Sequence, residues 1–237
     1  MDYTYHRIFG YTTAMLVQTA NLSYLAIHLP PKTFDDPNLV VLKNLQPRFF
    51  TIWNVIIQII YSAVSLWCEI STLKNSEKGD FKLSKYVRRF RDVLFSSVMW
   101  PSTWVVAIVF WTLYNYDRDL IFPKHTEQLL NPVSNHIMHT LIVPFAIWEL
   151  VYRQRREPKT HRKYFYHLVF HFALYFVVIT YTFIERGIWI YPIFTKLYGT
   201  IFFPLIHISI CAIALSAYFI QWPLSDYIWQ QGVKKVN

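Results

Sequence analysis

One threonine and two histidines are the residues of this sequence whose types and positions best suit nucleophilic chemistry. Thr51 stands at the start of one apolar stretch, and Asn135, His136 and His139 stand at the start of another. A histidine that takes the proton of a hydroxyl lets the oxygen attack a carbonyl carbon, which is the minimum arrangement for acyl transfer. On a helix, His139 is spaced i, i+4 from Asn135 and i, i+3 from His136, so all three can share a face.

The same residues also fit a purely structural role. In that interpretation Thr51 bonds to a carbonyl of its own helix, and the histidines make hydrogen bonds between helices. Spacing alone does not separate the two interpretations, because one threonine and one histidine among many are a weak signal.

Long apolar segments are the elements that must position these residues. Of the 237 residues, 54% are hydrophobic and only 16% are charged, against roughly 25% charged in an average soluble domain. A membrane-spanning helix needs about 20 mostly apolar residues. We therefore predict an all-α, polytopic membrane protein whose residues 1–237 form a single six-helix transmembrane domain, with helices at about 8–28, 49–72, 93–114, 132–152, 164–184 and 197–221.

The distribution of Lys and Arg gives this predicted bundle a direction. Sixteen of the 23 Lys and Arg residues fall at the N-terminus, in the 73–92 and 153–163 loops and at the C-terminus, and seven fall on the other side. By the positive-inside rule the first side is cytosolic, as are both termini. We expect a multi-pass protein of the endoplasmic reticulum or plasma membrane. A flipped topology stays open, since a few misjudged helix ends would shift the count.

This direction places Thr51 and His139 in the same outer layer of the bundle. The second and fourth predicted helices both enter from the outer side, so Thr51 would lie about 4 Å deep and His139 about 10 Å deep at 1.5 Å per residue. The two side chains can touch if those helices are neighbours. Polar groups at membrane depth are costly, which favours a functional role for them.

Three further histidines raise the alternative of a metal centre of the membrane-oxidase kind. His167 and His171 are spaced i, i+4 in the fifth predicted helix, and His207 lies within the sixth. Against this, the fifth helix enters from the opposite side of the membrane, and no carboxylate accompanies the histidines at similar depth. We expect no metal and no cofactor, and we expect these histidines to pack through hydrogen bonds.

Five blocks of sequence occur in order along most of the chain, and together they resemble one known family. The family is that of the androgen-induced and androgen-dependent TFPI-regulating membrane proteins. The blocks are Phe50-Thr51-Ile52-Trp53-Asn54, Arg91-Asp92-Val93-Leu94-Phe95, Tyr116-Asp117-Arg118-Asp119-Leu120-Ile121-Phe122-Pro123-Lys124, Asn135-His136-Ile137-Met138-His139-Thr140 and Gly187-Ile188-Trp189-Ile190-Tyr191-Pro192.

The resemblance implies six transmembrane helices and the hydrolysis of fatty acid esters of hydroxy fatty acids. It implies Thr51 as the nucleophile and His139 as the base, with no metal and no recognised catalytic acid. The sequence departs from the family pattern at Trp100-Pro101-Ser102, which replaces a Phe-Pro pair, and in its basic 153–163 loop. These departures concern lipid preference and not the reaction class.

Supporting roles are open for three residues on the outer side. Asn135 is placed to orient the imidazole from one turn earlier, and Glu185 to do so from the end of the fifth helix if that helix is adjacent. His136 suits either a structural role or the shaping of a pocket.

The implied substrate keeps a free carboxylate, which should stay near the interface while its tails lie in lipid. Arg118, Lys124 and Arg48 are on the correct side to bind that carboxylate. Plain interfacial charge, with the side chains reaching toward water, explains them equally well.

The competing function class is a non-catalytic lipid-binding regulator or transporter built on the same bundle. It predicts that proteins carrying Thr51→Ala or His139→Ala fold and function normally, whereas the hydrolase predicts that both lose ester hydrolysis. The partners expected in either case are a lipid and the bilayer. Nucleic acid is not expected, because the net charge of +9 lies between apolar segments.

Overall fold

The computed structural model describes residues 3–27, 37–75 and 82–234, and within these ranges it contains ten α-helices and no strand. The predicted all-α class is therefore confirmed. A π-helical segment, Leu94–Met99, joins the fourth helix to the fifth. The helices are α1 Thr4–Ile27, α2 Pro37–Leu45, α3 Phe50–Lys74, α4 Lys85–Val93, α5 Trp100–Asp117, α6 Pro132–His139, α7 Ile142–Tyr152, α8 Arg162–Arg186, α9 Pro192–Leu197 and α10 Phe202–Lys234.

Four helical stretches of the described chain are long and apolar enough to cross a membrane. They match the second, third, fifth and sixth predicted segments, and they confirm a multi-pass membrane protein. They are Phe50–Lys74, Lys85–Leu120, Arg162–Arg186 and Phe202–Gln230.

The other two predicted segments are also helical, but they are not among these four stretches. The first corresponds to α1, which has the length of a span but carries several polar side chains, and the fourth is divided between α6 and α7. Residue 28, where the first segment was predicted to end, lies outside the described residues. So do Lys32, Lys78 and Lys235, which contributed to the charge count.

The break between α6 and α7 has a local cause in the sequence. Pro144 has no backbone N–H to donate to the carbonyl of Thr140, and its ring would clash with that carbonyl in a continuous helix. The chain turns instead, and the amides of Thr140 and Leu141 both donate to the carbonyl of His136 at 2.9 Å. His139 is consequently the last residue of α6, directly before the break.

The interior packs as two large apolar clusters, one at each end of the bundle. The first, which includes Val55, Val106 and Ile142, lies at the end that carries Thr51. The second includes Phe95 and Trp100 and lies at the opposite end.

A set of buried polar side chains, named here the Glu149 cluster, adjoins the second apolar cluster. Glu149 is 2% exposed and accepts hydrogen bonds from the Tyr11 hydroxyl at 2.5 Å and the Tyr61 hydroxyl at 2.6 Å. It also pairs with Arg155 at 2.7 Å and Arg153 at 3.1 Å. Every carboxylate oxygen of Glu149 therefore has a partner within the protein.

Candidate active site

Thr51 and His139 come from two different helices and meet at the same point. Thr51 is the second residue of α3, and His139 ends α6. The Thr51 Oγ1 and His139 Nε2 atoms are 3.2 Å apart, within hydrogen-bond distance. The Thr51 hydroxyl thus contacts the imidazole, in the arrangement that the acyl-transfer interpretation requires.

The contact made by the second ring nitrogen of His139 determines the tautomer of its imidazole. Its Nδ1 atom lies 3.0 Å from the backbone carbonyl oxygen of Asn135. A carbonyl can only accept, so Nδ1 carries the hydrogen of the neutral ring, and Nε2 presents a lone pair to the Thr51 hydroxyl. The hydrogen bond therefore runs from the Thr51 hydroxyl to His139, which is the direction needed to remove the hydroxyl proton.

An aromatic ring holds the imidazole from its face. The Phe110 ring of α5 stacks on His139 with ring centroids 3.6 Å apart and planes 12° from parallel. His139 itself is only 5% exposed. The stacking and the Nδ1 contact together restrict rotation of the imidazole about both of its side-chain torsions.

A cavity of about 850 Å³ opens beside this pair, and both Thr51 and His139 line it. Most of the lining consists of Val, Leu, Ile and Phe side chains, the larger part of them from helices α2, α3, α5, α8, α9 and α10. Ligand sites in proteins are commonly apolar concavities of this size with a few convergent polar groups. The hydroxyl–imidazole pair is thus accessible to an apolar ligand within the bundle.

Comparison with known proteins places the chain in a family. Residues 40–224 match the family model described as FAR-17a/AIG1-like protein. The chain belongs to the FAR-17a/AIG1-like family. No solved structure matches it.

Relatives with assigned names support the same placement and confirm the resemblance seen in the sequence blocks. The androgen-dependent TFPI-regulating protein of Mus musculus is 32% identical over 150 residues, covering 63% of each chain. That of Mesocricetus auratus is 30% identical over 190 residues, covering 79% of this chain and 78% of the relative. The androgen-induced gene 1 protein of Homo sapiens is 24% identical over 148 residues, covering 61% and 62%. The match thus spans less than two thirds of the mouse relative's length.

Asn135 and Glu185 were both candidates for orienting the imidazole in this FAR-17a/AIG1-like protein. Asn135 does so through its backbone carbonyl, whereas its buried side-chain oxygen has no hydrogen-bond partner among the described residues. The structure does not bring Glu185 to His139, because its two carboxylate oxygens face Arg48 at 2.6 Å and Arg186 at 3.5 Å. Both nitrogens of His139 are already engaged by Thr51 and Asn135.

His136 does not share the buried face of His139. It is exposed, its Nδ1 atom lies 3.1 Å from the Thr140 hydroxyl, and its ring stacks on Trp111 at 5.3 Å. Residues three apart on a helix differ in direction by about 60°. On a helix of eight residues this angle is enough to put His136 on the outer surface, away from the cavity.

The three basic residues proposed for the substrate carboxylate lie outside the cavity lining. Arg118 pairs with Glu127 at 2.7 Å, and Lys124 is exposed. Arg48 is engaged by Glu185. The polar lining contains residues that the sequence argument missed or weighed for other roles: Gln46, His125, Thr126, Tyr175, Tyr191 and His207.

The histidines weighed as metal ligands lie in separate environments. The Nε2 atom of His171 contacts the Ser102 hydroxyl at 3.1 Å, and the Nδ1 atom of His207 contacts the Phe203 carbonyl at 2.7 Å. His167 is exposed. In the described ranges, no group of three or more His, Cys, Asp and Glu side chains is placed to hold a metal ion.

Proposed function

We propose that this FAR-17a/AIG1-like protein is an intramembrane esterase that hydrolyses fatty acid esters of hydroxy fatty acids, with Thr51 as nucleophile and His139 as base. The single observation that carries the proposal is the 3.2 Å contact between the Thr51 hydroxyl and the lone-pair nitrogen of His139 on the wall of an apolar cavity. Membership of the FAR-17a/AIG1-like family supports the proposal as well, because the resemblance to that family implies this reaction class.

The first half of the reaction transfers the acyl group to the protein. The Thr51 oxygen attacks the ester carbonyl carbon as its proton passes to Nε2 of His139, and the carbonyl electron pair moves onto the carbonyl oxygen. The pair then returns, the bond to the alkoxy oxygen breaks, and His139 gives its proton to that oxygen. A hydroxy fatty acid leaves, and an acyl ester of Thr51 remains.

The second half uses water in place of the hydroxyl. His139 accepts a proton from the water as the water oxygen attacks the acyl carbon. The tetrahedral species then breaks at the bond to Thr51, whose oxygen recovers the proton from His139. The free fatty acid leaves and both side chains return to their starting states.

A six-span topology with both termini cytosolic belongs to the same proposal, with α1 and the α6–α7 pair as the two additional crossings. The amide side chains of α1, those of Gln18 and Asn21, support this, because they are buried in the bundle and do not face the lipid. Gln18 is fully buried and donates to Gln58 at 2.5 Å. Polar residues in membrane helices commonly face the interior and find partners there, so a low mean hydropathy does not prevent α1 from spanning.

The substrate carboxylate is expected at the mouth of the cavity. His125 is exposed and lines the cavity, and it follows directly on the exposed Lys124. A carboxylate held there would leave the two apolar chains free to lie along the lining.

The test is hydrolysis by the purified full-length protein in lipid nanodiscs. We expect one fatty acid and one hydroxy fatty acid to be released in equal amounts, and we expect Thr51→Ala and His139→Ala proteins to release neither while remaining folded. Hydrolysis by the Thr51→Ala protein at the wild-type rate would contradict the proposal.

A non-catalytic lipid-binding role is the second candidate, since the apolar cavity alone fits it. It predicts that the Thr51→Ala protein binds lipid as the wild type does and that neither protein hydrolyses an ester. Measuring both ester hydrolysis and the binding of a non-hydrolysable ether analogue separates the two functions. If the protein is an esterase, the Thr51→Ala variant loses hydrolysis and keeps binding of the analogue.

A further inference from the structure

Two tyrosines meet at the backbone amide that precedes the candidate nucleophile. The Phe50 N–H donates to the Tyr175 hydroxyl at 2.9 Å and to the Tyr191 hydroxyl at 3.0 Å, and the two hydroxyl oxygens are 3.0 Å apart. Tyr175 belongs to α8, and Tyr191 is the fifth residue of the Gly187–Pro192 block and directly precedes α9. Three separate parts of the chain therefore converge within one residue of Thr51.

The hydrogen-bonding capacity of this tyrosine pair is not exhausted by the protein. Each hydroxyl has one hydrogen and two acceptor positions. Both hydroxyl oxygens accept from the Phe50 N–H, and one hydroxyl donates its hydrogen to the other. The hydrogen of the second hydroxyl therefore has no acceptor within the pair. None of the described residues offers a further acceptor to this pair.

The unused hydrogen lies in an apolar setting beside the reaction site. Tyr175 is 7% exposed, and both tyrosines line the same cavity as Thr51 and His139. Buried donors are rarely left without a partner in proteins. A ligand in the cavity that offers an acceptor oxygen next to Thr51 would supply that partner.

We propose that the Tyr175–Tyr191 pair donates this hydrogen to the carbonyl oxygen of the ester and stabilises the oxyanion that forms when Thr51 attacks. This inference rests on the proposed esterase function. The hydroxyl keeps its proton and contributes only a hydrogen bond, while the carbonyl electron pair resides on the oxygen and later re-forms the double bond. Donors placed beforehand in a low-dielectric site are effective at this task.

The amide of Thr51 is positioned to act as a second donor. It is the second N–H of α3, and the first N–H groups of a helix have no acceptor within that helix. Neighbouring amides at a helix start point in similar directions, and the preceding amide points at the tyrosine pair. The partial positive charge of the helix N-terminus favours an anion at the same place.

The experiment compares Tyr175→Phe, Tyr191→Phe and the double variant with Tyr166→Phe as matched control. Tyr166 lies on the same helix as Tyr175 and is exposed. Loss of one oxyanion donor commonly lowers kcat by about 100- to 1,000-fold. We expect kcat of the double variant to fall by about 100-fold with little change in KM, and at least one single variant to fall by about tenfold.

Two further measurements distinguish the oxyanion role of the tyrosine pair from other roles. If the pair instead binds the free carboxylate of the substrate, the loss will disappear with a simple acyl ester that lacks a carboxylate, and the inference is overturned. Each single variant keeps one hydroxyl acceptor for the Phe50 amide and should therefore fold. If the double variant fails to fold, the two single variants still test the role of the pair. If the Thr51→Ala protein is inactive but the single and double tyrosine variants keep kcat within about twofold of wild type, the oxyanion role is overturned and the proposed esterase function still stands. An active Thr51→Ala protein contradicts the proposed function itself.

Discussion

Two contacts among the described residues join a threonine or serine hydroxyl to an imidazole on another helix, and their distances are almost the same. Thr51 and His139 are 3.2 Å apart, and Ser102 and His171 are 3.1 Å apart. Only the first pair lines the cavity, whereas Ser102 is fully buried and neither member of its pair borders the cavity. A hydroxyl close to an imidazole therefore does not by itself identify a nucleophile in a membrane bundle.

The two pairs also differ at the other ring nitrogen. The Asn135 carbonyl fixes Nδ1 of His139 as the donor, so Nε2 is available as a base. For Nδ1 of His171, the described part of the chain provides no hydrogen-bond partner. His171 is accordingly free to donate from Nε2 to Ser102, which would make Ser102 an acceptor and not an activated nucleophile.

Replacing the two hydroxyls is the sharpest way to break this comparison. We expect Thr51→Ala to lower the rate of ester hydrolysis by at least about 1,000-fold, because no attacking oxygen remains. Ser102→Ala should leave the rate within about twofold, since its hydroxyl does not reach the cavity. Steady-state rates per mole of folded protein measure both. Equal losses of the hydrolysis rate in the two variants would show that the two hydroxyls contribute to the structure and not to the reaction.

Replacing the two imidazoles tests the base. His139→Gln should lower kcat by about 100- to 10,000-fold, the usual contribution of general acid–base catalysis. His171→Gln keeps an acceptor and a donor for Ser102 and should change kcat by less than about threefold. A large loss of kcat in the His171→Gln protein, with its thermal stability unchanged, would argue against the assignment of His139.

The Glu149 cluster supplies a third buried polar site, and it should affect stability and not the rate. Glu149→Gln removes the negative charge opposite Arg155 and Arg153, and breaking a buried pair in this way costs about 3–5 kcal/mol. Glu127→Gln, at the exposed pair with Arg118, should cost less than about 1 kcal/mol. Unfolding free energies in mixed detergent micelles measure the difference. Lost activity in a Glu149→Gln protein that unfolds like the wild type would contradict this division.

The smallest expected effect concerns the length of the acyl chain. Ala214 is buried in α10 and lines the cavity, so Ala214→Leu should take up part of its volume and raise KM for long-chain esters by about tenfold. Short-chain esters should be little affected. Ala107→Leu is the matched control, because Ala107 is buried in α5 but does not line the cavity. A similar change for both chain lengths would show that the lining does not hold the acyl group.

Sequence reasoning located the Thr51–His139 pair because hydroxyl and imidazole chemistry, segment order and family blocks all pointed to it. Their contact further depends on the break after His139, for which Pro144 was the only sequence signal. The ion partners of Arg48, Arg118 and Glu185 were not predictable, since they depend on which helix ends become neighbours.

The tyrosine pair shows the same limit. Tyr191 stood in a quoted block, but its role depends on the placement of the segment before α9 against the start of α3, which no spacing in the sequence encodes. The proposed six-span count likewise goes beyond the four spans that hydropathy indicates, because α1 buries polar side chains such as Gln18 inside the bundle.

The most direct test of the central claim is to map the site of covalent labelling by a fluorophosphonate with a long alkyl chain. The wild-type protein and the Ser102→Ala variant are labelled in the membrane, digested and analysed by tandem mass spectrometry, beside Thr51→Ala. We predict one phosphonylated residue, Thr51, in the first two proteins and no labelling in the third. Labelling of Ser102, or labelling that persists in the Thr51→Ala protein, would contradict the account.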